Sequence, residues 1–200
     1  MSDPVGAIVA GGGAVRFGGA PKGLHRVGGV RIIDRVASAL RATTSELMVI
    51  SNAPDASQWI PGVAVHGDVR PERGSLVAIH TALTQARGDV LVVAWDMPFV
   101  SPELLRLIRD REHRSGMAVI PEGPSGLEPF CALYTRECLP IIEQALADRD
   151  LGVSRMIARL PGVVRIPVRE VETLGDPAAL FFNVNSPDDL AAAERMLSSR

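Results

Sequence analysis

Five short apolar runs, Ala7 to Ala10, Leu47 to Ile50, Val63 to Val65, Val90 to Ala94 and Met117 to Ile120, alternate with longer stretches whose apolar residues recur at helical spacing. This alternation constrains the fold more than any other feature, because runs apolar at every position suit strands buried on both faces, and such strands need helices to cover them. Ile32, Ile33, Val36, Ala37 and Leu40 mark one helix face, Leu76, Ile79, His80 and Leu83 a second, and Leu104, Leu105, Leu107 and Ile108 a third. The pattern predicts βαβ units and a mostly parallel sheet. Ser101-Pro102-Glu103 and Ser186-Pro187-Asp188-Asp189 each combine a capping hydroxyl, a proline at the first helical position and acids in the first turn, so both predict helix starts. The segments Glu122 to Glu128 and Glu170 to Pro177 read as loops, and beyond Phe130 the alternation loosens enough to admit one or two antiparallel strands.

At 200 residues and 46% hydrophobic, the chain is expected to form one domain, residues 1–200 with a core of about 5–198. A chain of this size buries roughly 70% of its unfolded surface. A formal charge of −2 offers no bulk basic excess for a nucleic-acid backbone. Cys131 and Cys138 are too few for a disulfide framework and lack C-x-x-C spacing, which fits a reducing cytoplasm. Met1 to Val5 carry no basic patch, and no apolar run reaches the roughly 18 residues needed to span a bilayer. Neither export nor membrane insertion is expected.

After the first strand the chain reads Val9-Ala10-Gly11-Gly12-Gly13-Ala14-Val15-Arg16-Phe17-Gly18-Gly19-Ala20-Pro21-Lys22. Glycines let backbone N–H groups turn toward an anion without a Cβ in the way, and Arg16 and Lys22 add positive charge. The same composition also suits a flexible connection with solvated basic residues. Position favours the phosphate reading, because ligands of open α/β sheets bind beyond the carboxyl ends of the strands. The loop is not a Walker loop, since Gly23 stands where Ser or Thr is required, and it does not meet the dinucleotide fingerprint. His25, His66, His80 and His113 lack zinc-ligand spacing, Gly123-Pro124-Ser125-Gly126 is out of register for a nucleophile elbow, and Cys131 lies within an apolar run. No covalent intermediate is expected.

Four motifs in order resemble those of the molybdenum cofactor guanylyltransferases, the MobA-like nucleotidyltransferases. The loop is similar to L-A-G-G-x-x-x-R-x-G-G-x-x-K, and Asp96-Met97-Pro98-Phe99 to D-x-P-F/Y. Glu128-Pro129-Phe130-Cys131-Ala132-Leu133-Tyr134 resembles E-P-x-x-A-L-Y, and Phe182 through Leu190 resembles F-x-N-x-N-T-P-E-D-L. The resemblance implies an α/β Rossmann-like three-layer sandwich, like that of the nucleotide-diphospho-sugar transferases, and transfer of GMP from GTP to molybdopterin with Mg2+. It places Asp96 on the metal, Lys22 and Arg16 on the triphosphate, and Val9, Ala10, Gly11, Gly12, Asn52 and Asp68 at the nucleotide. Asn183 and Asn185 fall on the pterin side. On an extended segment two residues so spaced point the same way and can share one ligand.

Each of these residues also has a plainer reading. Asn52 and Asp96 follow strands, where Asn and Asp commonly form turns, and Asn185-Ser186-Pro187 can simply end a strand and cap the last helix. The chain departs from the family at Val9, Val15 and Pro21, and Arg73-Gly74-Ser75-Leu76-Val77-Ala78 stands where G-P-L-A-G is usual. Because the resemblance implies that this segment helps shape the base pocket, CTP and other acceptors such as a sugar phosphate stay open as alternatives, as does a catalytically inactive nucleotide-binding module. The expected partners are GTP and molybdopterin, without nucleic acid or membrane. Transient contact with cofactor-synthesis or acceptor enzymes, and a monomer or weak homo-oligomer, complete the expectation.

Overall fold

Strands form where the apolar runs lie. The computed structural model describes residues 3–10, 21–72, 74–112 and 118–198. Its main elements are β1 (Val5–Val9), β2 (Arg26–Val27), β3 (Val30–Arg31), α1 (Ile32–Arg41), β4 (Leu47–Ile50), β5 (Ala64–His66), α2 (Ser75–Ala86), β6 (Val90–Ala94) and α3 (Pro102–Arg109). They continue with β7 (Ala118–Gly123), β8 (Gly126–Leu127), β9 (Cys131–Tyr134), α4 (Leu139–Ala147), α5 (Val153–Arg159), β10 (Val163–Ile166), α6 (Val168–Val171), α7 (Pro177–Leu180) and α8 (Pro187–Ser198).

The sheet order is β10-β7-β9-β6-β1-β4-β5, with β8 pairing β7 and β2–β3 forming a separate hairpin. The pairs β5–β4, β4–β1, β1–β6 and β7–β10 are parallel, whereas β9 runs antiparallel to both β6 and β7. The expected late antiparallel strand is therefore β9. Side-chain alternation sorts the core into two layers: Ile8, Val49, Leu91, Val93 and Leu133 pack with α1 and α3, while Ala7, Val9, Ile50, Val90, Val92 and Tyr134 pack with α2, α4 and α5. With roughly 1.5–3 kcal/mol for each fully buried large apolar side chain, this double burial holds the strand ends in a fixed row.

Both expected helix starts occur. Ser101 accepts from the Leu104 N–H at 3.2 Å. Ser186 accepts from the Asp189 N–H at 3.2 Å while Asp189 Oδ2 accepts from the Asn185 N–H at 3.0 Å, a reciprocal cap of α8.

Two expected loops are corrected. Glu170 to Pro177 is largely helical: α6, a 3-10 turn over Glu172–Leu174 and the start of α7, where Asp176 Oδ1 accepts from the Ala178 N–H at 2.9 Å. Glu122 to Glu128 is a hairpin, because β7 continues to Gly123 and returns as β8, with Glu122 opposite Leu127. Pro121 costs β7 one donor, yet its carbonyl accepts from the Glu128 N–H at 2.9 Å, so the ladder continues. The third strand also lies one residue later than expected, at Ala64–His66, and Met117 falls outside the described residues.

His80 on α2 is 5% exposed, with both ring nitrogens lacking a hydrogen bond among the described residues and Glu143 Oε1 at 3.6 Å, beyond hydrogen-bond reach. Burial lowers its pKa below the ordinary 6.5, only partly offset by Glu143. The unfolded chain therefore takes up a proton before the folded chain does, and stability should fall as pH drops below about 6.5, levelling once the folded imidazole charges. His80→Leu should flatten that part of the curve, measured as Tm between pH 5 and 8.

Candidate functional site

Parallel pairing aligns the carboxyl ends of four strands. Val9 is level with Ala94 on one side and with Ile50 on the other, and Ile50 is level with His66. The ladder runs one residue further, with Ala10 N–H donating to the Ile50 carbonyl at 2.9 Å, Trp95 N–H to Val9 at 3.2 Å and Ser51 N–H to His66 at 3.0 Å. One step beyond lie Asp96, Asn52 and Asp68, so three candidate side chains leave the sheet on a single edge. Chain continuity starts the glycine-rich segment from that same edge at Ala10. Gly11, Gly12 and Arg16 themselves lie outside the described residues.

Lys22 returns the chain to this edge. Its ammonium lies 2.6 Å from Asp96 Oδ2 and donates to Asn185 Oδ1 at 2.7 Å. Both partners are held by backbone. The Asp96 carbonyl accepts from the Val184 N–H at 2.9 Å, which delivers Asn185 to the site, and the Asn185 N–H is fixed by Asp189. With side-chain exposures of 16% for Lys22 and 9% for Asp96, the pair is largely shielded from solvent. Gly23 sets the lysine's position: a Cβ there would lie 2.5 and 2.8 Å from ring atoms of Trp95. Trp95 is 2% exposed and stacks on Trp59 with 5.2 Å between ring centres, so lysine, glycine and tryptophan pack as one unit.

Asn52 and Asp68 clasp each other across β4 and β5. Asn52 Nδ2 donates to Asp68 Oδ2 at 2.6 Å, and the Asp68 N–H donates to Asn52 Oδ1 at 2.8 Å. Most of the Asn52 amide is thereby spent on Asp68, which makes Asn52 the support that aims the aspartate. Asn183 and Asn185 do not share a partner among the described residues: Asn183 Nδ2 donates to the Phe181 carbonyl at 2.9 Å, whereas Asn185 meets Lys22. Residues 182–185 form no strand, so the alternation that would aim both side chains alike does not apply.

Cys131 is fully buried, and desolvation pushes its thiol pKa far up; Cys138 is likewise raised, to about 12. Burial thus disfavours the thiolate, the nucleophilic form, at both positions. No group of three His, Cys, Asp or Glu side chains able to hold a metal occurs among the described residues, so a cation at this edge would rely on Asp96 with neutral oxygens such as Asn185 Oδ1. No described helix is long and apolar enough to cross a membrane. A cavity of about 420 Å³ between Phe99, Leu174, Leu180 and Met196 is lined by none of Lys22, Asp96, Asn52 or Asp68.

Gly23 and Trp95 were given no role by sequence reasoning, and Glu128 entered it only as the first residue of a motif. For Gly23 and Trp95 the signal is adjacency, since each neighbours a charged site residue. Glu128 follows the β7–β8 hairpin and opens the turn into β9; its carboxyl lies against Gly123, and burial pushes its pKa up to about 7.

Comparison with known proteins shows the family and agrees with the fold. Residues 6–163 match the family model described as the MobA-like NTP transferase domain. The molybdenum cofactor guanylyltransferase of Desulfosudis oleivorans is 30% identical over 100% of this chain and 98% of its own length. A probable molybdenum cofactor guanylyltransferase of Pelotomaculum thermopropionicum is 34% identical, covering 98% of this chain and 94% of its own. Among solved structures, molybdopterin-guanine dinucleotide biosynthesis protein A of Archaeoglobus fulgidus superposes with a TM-score of 0.82 at 27% identity, over 98% of this chain and 99% of its own.

Proposed function

Since this chain belongs to the MobA-like NTP transferase family and is a nucleotidyltransferase, we propose that it transfers the GMP of GTP to molybdopterin with Mg2+, releasing pyrophosphate. The observation that carries this reading is the convergence of Lys22, Asp96 and Asn185 at the strand edge from which the glycine-rich segment departs. Magnesium favours hard oxygen donors and commonly takes one or two carboxylates, with phosphate oxygens and water filling the rest. Asp96 and Asn185 offer a carboxylate oxygen and an amide oxygen that already close on one cation, the Lys22 ammonium, and would hold the ion. Bound there, it would neutralise charge on the triphosphate and orient it.

The remaining work is positioning. A phosphate oxygen of molybdopterin attacks the α-phosphorus of GTP, the bond to the bridging oxygen breaks, and pyrophosphate leaves. A phosphate monoester is already largely ionised near neutral pH, so no strong base is required. With Asp96 and Asn185 turned to the ion, Lys22 would be free to present its three donors to the departing oxygens. Arg16 and the amides of Gly11 and Gly12 supply further donors, and Asp68, aimed by Asn52, lies on the β4–β5 side, where the nucleoside is placed. Asn183 stays on the acceptor side. The reading extends to a reducing cytoplasm, in keeping with Cys131 and Cys138 as buried thiols outside any disulfide.

Incubation with molybdopterin, Mg2+ and each of GTP, CTP, ATP and UTP tests the function. The guanine dinucleotide should form, with stoichiometric pyrophosphate, from GTP and not from the other three. A product made from CTP alone would overturn the base assignment, and tight GTP binding with no transfer would favour an inactive binding module.

A further inference from the structure

Glu128 has an anchored backbone and an uncommitted carboxyl. Its N–H donates to Pro121 at 2.9 Å, its carbonyl accepts from the Cys131 N–H at 3.1 Å, and the next carbonyl, Pro129, accepts from the Tyr134 hydroxyl at 2.8 Å. The carboxyl, by contrast, has no hydrogen bond or ion pair among the described residues, although the residue is half-buried. It packs on the bare Cα of Gly123, where any Cβ would collide with Oε1. Burial raises its pKa to about 7, the mark of a carboxylate deprived of water without compensation.

Its place in the sheet says what it faces. Val93 pairs with Cys131, and the Ala94 N–H donates to the Phe130 carbonyl at 2.8 Å, so the β6–β9 ladder ends two residues short of both Asp96 and Glu128. Both side chains therefore emerge at the carboxyl edge. Asn52 and Asp68 lie on the β4–β5 side of Asp96, and Glu128 lies on the β7–β9 side. If the nucleoside occupies the former, the edge left open to the acceptor is the latter. A carboxylate there repels phosphate, so what it receives must be a donor group. The pterin of molybdopterin presents such an edge, a ring N–H beside an exocyclic amino group, spaced to meet two carboxylate oxygens.

We propose that Glu128 binds the acceptor substrate, its carboxylate receiving the paired N–H donors of the acceptor's heterocycle. This rests on the functional reading above. The test compares Glu128→Ala and Glu128→Gln with the unaltered protein, using molybdopterin and GTP and reading acceptor KM, GTP Kd and Tm. Losing hydrogen bonds to a charged group should raise the acceptor KM about tenfold or more in Glu128→Ala, and less in Glu128→Gln, which keeps one acceptor oxygen. GTP Kd should stay within about twofold, because the residue lies outside the nucleotide half. Tm should hold or rise, since a desolvated, unpaired carboxylate is removed. A purely structural residue would instead lower Tm. Gly123→Ala, which displaces the carboxyl while keeping it, should raise the acceptor KM as well.

An unchanged acceptor KM in Glu128→Ala, or an equal loosening of GTP, overturns the assignment while leaving the function intact. If the unaltered protein binds GTP but converts no molybdopterin with any triphosphate, the functional reading fails and this assignment fails with it.

Discussion

Asp96→Asn should lower kcat for nucleotidyl transfer about a thousandfold while leaving the fold in place. The substitution keeps the shape and an acceptor oxygen for Lys22, so what it removes is the negative charge of the carboxylate that the Lys22 ammonium touches. A thousandfold is about 4 kcal/mol of barrier, the size expected when a preorganised charge at a phosphoryl centre is lost. The stability effect should be much smaller. Lys22 is 16% exposed and can turn its ammonium toward water, so the broken pair costs about 1–2 kcal/mol, or a few degrees in Tm. Pyrophosphate release at saturating GTP, read beside a melting curve, separates the two. Transfer at the unaltered rate with Mg2+ would remove Asp96 from the mechanism; a collapse of Tm would reassign it to structure.

That Asp96 could be singled out from sequence at all follows from strand physics. Val90 to Ala94 is apolar at every position because both faces of β6 are covered, and a charged residue soon after such a run must leave the sheet at its end. Asn52 and Asp68 also follow strands, but there the turn reading is as good, and only the family resemblance singled them out. The helix starts at Ser101 and Ser186 were legible because a cap is decided within four residues. Residues 168–180 were not, because α6, α7 and the turn between them span at most four residues each, too few for a helical period to register. Asp176-Pro177 nevertheless carries the capping chemistry that identified the other two starts, so the signal was present in weaker form. The Glu122–Glu128 hairpin was hidden by its composition, since Pro, Gly and Glu read as a loop wherever the neighbouring strand is unknown.

The contacts within the site were beyond sequence reasoning for a different reason. Lys22 meets Asn185 across 163 residues, and what brings the C-terminal segment there is the Val184–Asp96 backbone bond together with the packing of Phe182 and Val184 against Phe99. Spacing within a motif could suggest that Asn183 and Asn185 act alike. The irregular backbone of residues 182–185 separates them instead, turning one toward Phe181 and the other toward Lys22.

Gly23→Ala carries the second large effect, through a residue with no functional group. The added methyl would meet Trp95 Cε3 at 2.5 Å and Cδ2 at 2.8 Å, closer than carbon atoms tolerate. A flexible neighbour could yield, but this indole is 2% exposed, stacked on Trp59, and immediately precedes Asp96 in the chain. The 3-10 turn over Lys22–Leu24 must move instead, and Lys22 moves with it. Overpacking of this kind costs about 1–3 kcal/mol of stability. The catalytic loss should be larger in proportion, because a displacement of about 1 Å at a reacting centre can reduce rate a hundredfold. Gly23→Ala should therefore approach the kcat of Lys22→Ala while retaining the lysine. Adding Gly23→Ala to a Lys22→Ala background should then lower kcat little further, since both act on one contact. Two independent, multiplying losses would show that the glycine shapes something other than the lysine's approach to Asp96.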